Sequence, residues 1–204
     1  MRTVNKVAVV DGEKCTACGT CVGLCPVEAI VLAKQAKKRS AAVDETMCLA
    51  CTICMTRCPE HAISMAKRES PLQVGVDMSG VSKKEIARIC QNAHMLPEQI
   101  ICYCHRVQAQ EVAAAILQGA QTPEDIARAT AARTGCGVLC ITGIIRLLRA
   151  AGVDLTEAPG WQWYGLELSV WEVSPEIIQK YSQYYLAEDL RDVNRVFPGG
   201  GKSS

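Results

Sequence analysis

The chain has 204 residues and a formal net charge of +1, which leaves room for one to three small domains. No stretch approaches the length of a membrane-spanning helix, and no sustained apolar run follows Met1, so neither a membrane span nor a signal peptide is expected. All nine aromatic residues lie after residue 102. The first 102 residues therefore contain no aromatic side chain. A domain of this size without aromatic side chains buries little apolar surface and needs another source of stability, such as a metal.

Thirteen cysteines are available for that purpose. Disulfides are the competing use of cysteine, and the odd count leaves one thiol over. Because nothing marks the chain for export, we expect a cytoplasmic protein, and a cysteine-rich chain in a reducing compartment is a candidate for metal binding.

Eight of the cysteines lie within residues 15–59, in two runs of the form C-x2-C-x2-C-x3-C-P. The runs are Cys15, Cys18, Cys21 and Cys25 before Pro26, and Cys48, Cys51, Cys54 and Cys58 before Pro59. This spacing is typical of cysteine ligands to cubane iron–sulfur clusters. A pair of zinc sites or a set of disulfides is the alternative, although zinc sites favour paired C-x2-C units.

The two runs belong to an internal repeat with an offset of 33 residues, from Cys15 to Cys48. Each half is predicted to form a short strand, a cysteine loop and one or two helical turns. Two such halves can pack about a pseudo-two-fold axis. In this spacing the cysteine before proline points away from its own run and ligates the other cluster.

Residues 1–70 resemble the bacterial two-[4Fe-4S] ferredoxin family. The resemblance implies a ferredoxin-like domain with one cluster on Cys15, Cys18, Cys21 and Cys58, and a second on Cys25, Cys48, Cys51 and Cys54. Thr52 stands where the first half has Gly19, which adds a side chain near the second cluster without removing a ligand. The basic run at 34–39 is expected to be a solvated loop, with a docking patch as the alternative.

Residues 71–100 are predicted to be a linker followed by one helix. The stretch 71–80 contains a proline and two glycines, which favours a linker. Ser82 and Glu85 fit a capping box that starts an amphipathic helix ending near Ala93. Cys90 has no partner at ligand spacing and is expected to be a small buried side chain.

Residues 101–152 contain a further cysteine group in a helical context. Helices are predicted at 110–119, from the Thr122 cap, and at 141–151. The four cysteines are Cys102, Cys104, Cys136 and Cys140. Each of two converging loops would present two thiolates to one site.

This segment resembles the [2Fe-2S] domain of the bacterioferritin-associated ferredoxin type, through Cys102-x-Cys104 and the run 134–137. The resemblance implies a small all-helical domain with one [2Fe-2S] cluster on those four cysteines. Three residues separate the last two cysteines, whereas members commonly have two or four. A structural zinc is the alternative. His105 is a candidate donor to a cluster sulfur, although a solvent-facing side chain is the simpler expectation.

Residues 153–204 form an aromatic-rich extension. A strand or hairpin is predicted around 161–171 and a helix from Ser174-Pro175. Residues 151–204 carry eight acidic and four basic residues. The aromatic side chains favour a protein–protein interface, or a tail that folds back over the cluster domains.

The sequence therefore predicts an α+β protein with three cluster sites and no organic active site. We expect an electron-transfer subunit that relays single electrons between a flavin-containing oxidoreductase subunit and an acceptor, because the helical [2Fe-2S] domain type accompanies flavin dehydrogenases. A freely diffusing ferredoxin, an iron-mobilisation module and a cluster-based sensor are the alternatives. A sensor would need a DNA-reading element and none is visible, so no nucleic-acid partner is expected.

Overall fold

The structure, a computed structural model, describes residues 1–35, 38–155 and 170–197. Three two-stranded antiparallel sheets lie in the first 108 residues: β1 (Arg2–Val10) pairs with β4 (Ile63–Val74), β2 (Ile30–Gln35) with β3 (Lys38–Val43), and β5 (Ile100–Cys102) with β6 (Val107–Gln108). The helices are α1 (Thr20–Leu24), α2 (Ile53–Arg57), α3 (Lys83–Asn92), α4 (Ala109–Leu117), α5 (Pro123–Thr130), α6 (Ile141–Ala150), α7 (Pro175–Lys180) and α8 (Leu186–Val196), with 3₁₀ turns at Val170–Glu172 and Ser182–Tyr184. No helix in the described ranges is long and apolar enough to cross a bilayer.

The repeat predicted in residues 1–70 is visible in the elements. Helices α1 and α2 start 33 residues apart, at Thr20 and Ile53. Both follow a residue in the left-handed region, Gly19 with φ 82° and Thr52 with φ 67°. A pseudo-two-fold axis between the halves stays a prediction.

The predicted linker at 71–80 is wrong for its first four residues, because β4 continues to Val74 and pairs there with Arg2. Pro71 is tolerated because it falls at an irregularity. The register shifts between Val4 and Lys6, whose partners are Leu72 and Lys67. A proline, which lacks an N–H group, fits a strand where no ladder bond is required of it.

The basic run at 34–39 is likewise not a simple loop, since its described residues end β2 and begin β3. Lys34, Lys38 and Arg39 are exposed. The Lys38 ammonium donates to the carbonyl oxygens of Glu13 (2.8 Å) and Cys15 (3.3 Å). The described residues of the run therefore lie in paired strands, and Lys38 contacts the first cysteine loop.

The helix predictions between 82 and 152 are confirmed. Ser82 caps α3 by accepting from the Glu85 N–H, and Thr122 caps α5 in a capping box with Asp125. The prediction that residues 101–152 are all-helical is wrong, because β5 and β6 form a short hairpin before α4. This hairpin carries Cys102 in its first strand.

The buried side chains form two cores. The first lies between the sheets of residues 1–74 and includes Val7, Val27, Ile30, Ala41 and Ile63. The second lies between α3, α4, α5 and α6, with Ile89, Val112, Ile126, Ile144, Leu147 and Leu148 almost fully buried. Cys90 is fully buried in the second core, as predicted.

The predicted strand or hairpin around 161–171 lies outside the described residues except for its last two positions. Helix α7 begins at Pro175 with Ser174 as its cap, as predicted. No residue within 170–197 is buried. Trp171 stacks on His94, with ring centroids 3.7 Å apart, and lies 5.4 Å from the Arg146 guanidinium.

Candidate iron–sulfur sites

The first cavity is bounded by cysteines from both runs. Its lining includes Cys15, Cys18, Cys21 and Cys58, around about 360 Å³ of space that is partly open to solvent. Cys58 belongs to the second run, so the cysteine before proline does reach across to the other loop. Cys18 is exposed and Cys21 is buried, which places this site at the protein surface.

The second cavity has the complementary set. Cys25, Cys48, Cys51 and Cys54 line about 310 Å³ of space, together with apolar side chains such as Ile30 and Leu49. Three of these cysteines are buried and Cys51 is partly buried. The second site is therefore the more enclosed of the two.

The same local structure positions Cys25 and Cys58, the two cysteines that line the cavity of the other run. Cys25 and Cys58 are the C-caps of α1 and α2. Each sulfur accepts a backbone hydrogen bond from the residue four positions on, at 3.3 Å from Ala29 N and 3.4 Å from Ala62 N. Such N–H groups favour the negative charge of a ligating thiolate and tune the potential of a bound cluster.

In the absence of iron, burial disfavours the thiolate form of three cysteines of the second site. It is the main cause that raises the pKa of Cys25 and Cys51, and it raises the pKa of Cys54 to about 12. The Thr20 hydroxyl, by contrast, lowers the pKa of the exposed Cys18. Cysteine ligates a metal as the thiolate. The buried thiols of the second site therefore lose their protons when positively charged iron binds.

The third group brings together all four remaining candidate cysteines. Cys102 ends β5 and Cys104 lies in the following turn, while Cys136 lies in the loop after α5 and Cys140 caps α6. The Cys136 N–H donates to the Cys104 sulfur at 3.4 Å. A hydrogen bond from Cys140 is the main cause that lowers the pKa of Cys102 and raises that of Cys140. Cys102 and Cys140 are buried, and Cys104 and Cys136 are exposed.

Gly135 allows the two loops of the third site to meet. A Cβ at this position would lie 2.5 Å from the Cys104 Cβ and 2.8 Å from its sulfur. Both separations are far below van der Waals contact, so a side chain would push the loops apart. At the neighbouring Gly137 a Cβ would make only an ordinary van der Waals contact, 3.7 Å from the Arg133 carbonyl oxygen, but the φ of 77° favours glycine for its backbone.

His105 is less exposed than the simpler expectation of a solvent-facing side chain. It is partly buried, and its Nε2 lies 2.8 Å from the Thr134 hydroxyl. Burial lowers the pKa of the imidazole, so the ring is neutral around pH 7. Its role is to join the hairpin to the loop that carries Cys136.

A buried ion pair holds the same loop on its other side. The Arg133 guanidinium pairs with the Glu124 carboxylate of α5, and their side chains are 10% and 0% exposed. The loop needs such a tether because two non-glycine residues in it are left-handed, Ala131 with φ 64° and Arg133 with φ 70°. Sequence reasoning missed this pair, since nothing in the pattern of α5 distinguishes Glu124 from an exposed first-turn acid.

Basic side chains close to the first two sites were also missed. Besides Lys38 beside Cys15, Arg68 of β4 donates through Nη2 to the carbonyl oxygen of Cys48 and through Nε to that of Lys6 at 3.0 Å. Positive charge beside each cysteine loop offsets the negative charge of thiolate ligands.

The donor sets fit iron–sulfur clusters. All thirteen cysteines are unpaired, so the disulfide alternative is not realised. Within the described ranges, no three His, Cys, Asp or Glu side chains are grouped closely enough to hold a single metal ion. Sulfurs spaced around a cavity, as in the first two groups, are what a multi-atom cluster requires.

Comparison with protein-family models gives two matches. Residues 10–69 match the model of a 4Fe-4S dicluster domain, and residues 100–150 match that of a BFD-like [2Fe-2S] binding domain. The chain therefore joins a 4Fe-4S dicluster domain to a BFD-like [2Fe-2S] binding domain. No curated protein and no solved structure matches the chain.

The dicluster domain contains the first two cysteine groups, and the BFD-like domain contains the third. Both resemblances drawn from the sequence are thus confirmed. The domains imply 4Fe-4S and 2Fe-2S binding, and at a general level they make the chain an electron-transfer protein.

Proposed function

We propose that this chain binds two [4Fe-4S] clusters and one [2Fe-2S] cluster, and that it is the electron-relay subunit of an oxidoreductase. The observation that carries the proposal is the sorting of twelve cysteines into three groups of four. Two of the groups line separate cavities in the crossed arrangement, and the third joins two loops of the BFD-like domain.

The proposed ligands are Cys15, Cys18, Cys21 and Cys58 for the first site, Cys25, Cys48, Cys51 and Cys54 for the second, and Cys102, Cys104, Cys136 and Cys140 for the third. The chain supplies thiolates, backbone N–H donors and nearby cations. The bound clusters supply one-electron redox chemistry.

The proposed partner is a flavin-containing oxidoreductase subunit. A chain of one-electron sites complements a flavin, which accepts two electrons from a substrate and releases them singly. The C-terminal extension offers a surface for docking, since Tyr184 and Tyr185 are 66% and 67% exposed. Trp171 packs on the chain's own His94 and lies 5.4 Å from Arg146 of the BFD-like domain, so this part of the extension is held near that domain while Tyr184 and Tyr185 stay exposed.

Anaerobic purification of the full chain with its untagged partners tests the proposal. We expect about ten irons per chain, with matching acid-labile sulfide, and EPR signals of both cluster types after reduction. Co-purification of a flavoprotein is the expected result for the partner. A chain that purifies alone supports the diffusible ferredoxin instead, and a chain without acid-labile sulfide contradicts all cluster assignments.

A pair of variants tests the crossed ligation. Cys58→Ser is expected to alter the EPR signal of the site shared with Cys15, although Cys58 lies in the second run. Cys25→Ser is expected to alter the signal of the site shared with Cys48. If each variant affects the site of its own run, the crossed assignment is wrong.

A further inference from the structure

Helix α5 of the BFD-like domain packs against the dicluster domain beside one particular cysteine. The Arg128 Nη1 donates to the carbonyl oxygen of Val27 at 3.0 Å and pairs with Glu28 at 3.3 Å. Val27 and Glu28 closely follow Cys25, a proposed ligand of the second site. Ala127 and Ala131 are buried in the core of the dicluster domain, so the interface includes apolar packing as well as the ion pair.

A cleft next to this interface separates the second and third cysteine groups. One wall includes Cys51, Thr52 and Arg57 of the dicluster domain, and the other includes Arg133, Cys136 and Val138 of the BFD-like domain. Its empty volume is about 1,080 Å³, counted with the open solvent at its mouth. Cys58 and the other cysteines of the first group do not line this cleft.

The burial of the cysteines separately indicates which group is internal and which groups lie at the surface. The second group has no exposed member, whereas the first group exposes Cys18 and the third exposes Cys104 and Cys136. An internal site between two surface sites has this pattern, because only the outer sites need to exchange electrons with other proteins.

We infer that the site of Cys25, Cys48, Cys51 and Cys54 is the middle one of the three. The third site then exchanges electrons with the second, and the second with the first. Each step oxidises one site by one electron, reduces its neighbour by one electron, and makes or breaks no bond. Electron tunnelling becomes steeply slower with distance, so direct exchange between the first and third sites does not compete. The inference rests on the proposed function.

Spin relaxation of the [2Fe-2S] EPR signal in the reduced full-length protein tests the order. A reduced paramagnetic neighbour speeds the relaxation of this signal, and the effect falls steeply with distance. Cys51→Ser and Cys18→Ser are matched variants, one in each cubane site. We expect Cys51→Ser to lower the half-saturating microwave power of the [2Fe-2S] signal at least tenfold, and Cys18→Ser to change it less than twofold.

The opposite response, or equal responses of both variants, would overturn the order. If Cys51→Ser abolishes more than one site, Cys18→Ser decides alone: an unchanged [2Fe-2S] relaxation supports the middle position of the second site, and slowed relaxation overturns it. Failure of the proposed function gives a different result, namely wild-type protein that lacks one of the cluster signals.

Discussion

Replacing Glu124 with glutamine removes one charge from the buried pair that holds the third cysteine loop. Glu124 is fully buried, and Arg133, its partner, is almost fully buried. Glutamine keeps the volume and one carbonyl acceptor, so the packing of α5 is preserved. What changes is that the guanidinium loses the carboxylate that offsets its desolvation.

The cost follows from that burial. Removing one partner of a buried ion pair typically costs about 3–5 kcal/mol. The 10% exposure of the Arg133 side chain and the amide acceptor of the variant favour the lower end, so we expect about 3 kcal/mol. If the loss falls on the loop alone, the population of its open form rises on the order of 100-fold, because 1.36 kcal/mol is a factor of ten.

Iron release from the third site measures this opening. Anaerobic protein is mixed with a strong iron chelator, and the loss of the [2Fe-2S] EPR signal is followed over time. Chelation of a transiently opened site tracks the open population when reclosing is fast. We therefore expect the third site of Glu124→Gln to lose iron on the order of 100 times faster than that of the wild type, with less effect on the cubane signals.

Glu85→Gln is the matched control. Glu85 forms a 2.8 Å pair with Arg88 three residues away, but these side chains are 41% and 54% exposed. Exposed pairs contribute about 0–1 kcal/mol, so this variant should release iron at nearly the wild-type rate. Equal rates for Glu124→Gln and wild type would refute the argument that the buried pair holds the loop.

Three further predictions concern single positions. Gly135→Ala should prevent assembly of the third site, because its Cβ would lie 2.5 Å from that of Cys104. Gly137→Ala carries the backbone cost of a φ of 77°, but its Cβ would lie 3.7 Å from its nearest neighbour, so it should lose much less of the [2Fe-2S] EPR signal. Equal losses in the two variants would contradict this. Cys90 should resist alkylation in the native protein at pH 8, since burial raises its pKa to about 11; only the thiolate reacts, so mass spectrometry should find it modified only after unfolding. Thr52→Gly should raise the melting temperature, because a left-handed β-branched residue (φ 67°) costs about 1 kcal/mol. Gly19→Ala, in the matching first-half position, should lower it.

Much of the dicluster domain could be predicted from the sequence because its constraints are local. The spacing of each run and the following proline fix a loop and a short helix, and the 33-residue offset applies the same rule twice. The helices between 82 and 152 were equally predictable, since Ser82, Thr122 and Gly152 mark their ends. These are properties of neighbouring residues.

What could not be predicted depends on contacts between distant residues. From its neighbours in sequence, Pro71 indicates a linker. That it lies in a strand depends on pairing with β1, where the register shifts at Asn5. The strands β5 and β6 are only three and two residues long, which is too short for an alternating pattern. The burial of Glu124 and the stacking of Trp171 on His94 depend on which helices become neighbours, which spacing alone does not reveal.

Helix α5 has a consequence for any attempt to divide the protein. Ala127 and Ala131 complete the apolar interior of residues 1–74, while Ile126 of the same helix belongs to the other interior. A fragment ending near residue 80 would therefore lack part of its apolar core and expose the surface at Val27 that α5 covers. Each half matches its own family model, yet residues of and next to α5 belong to the apolar interiors of both.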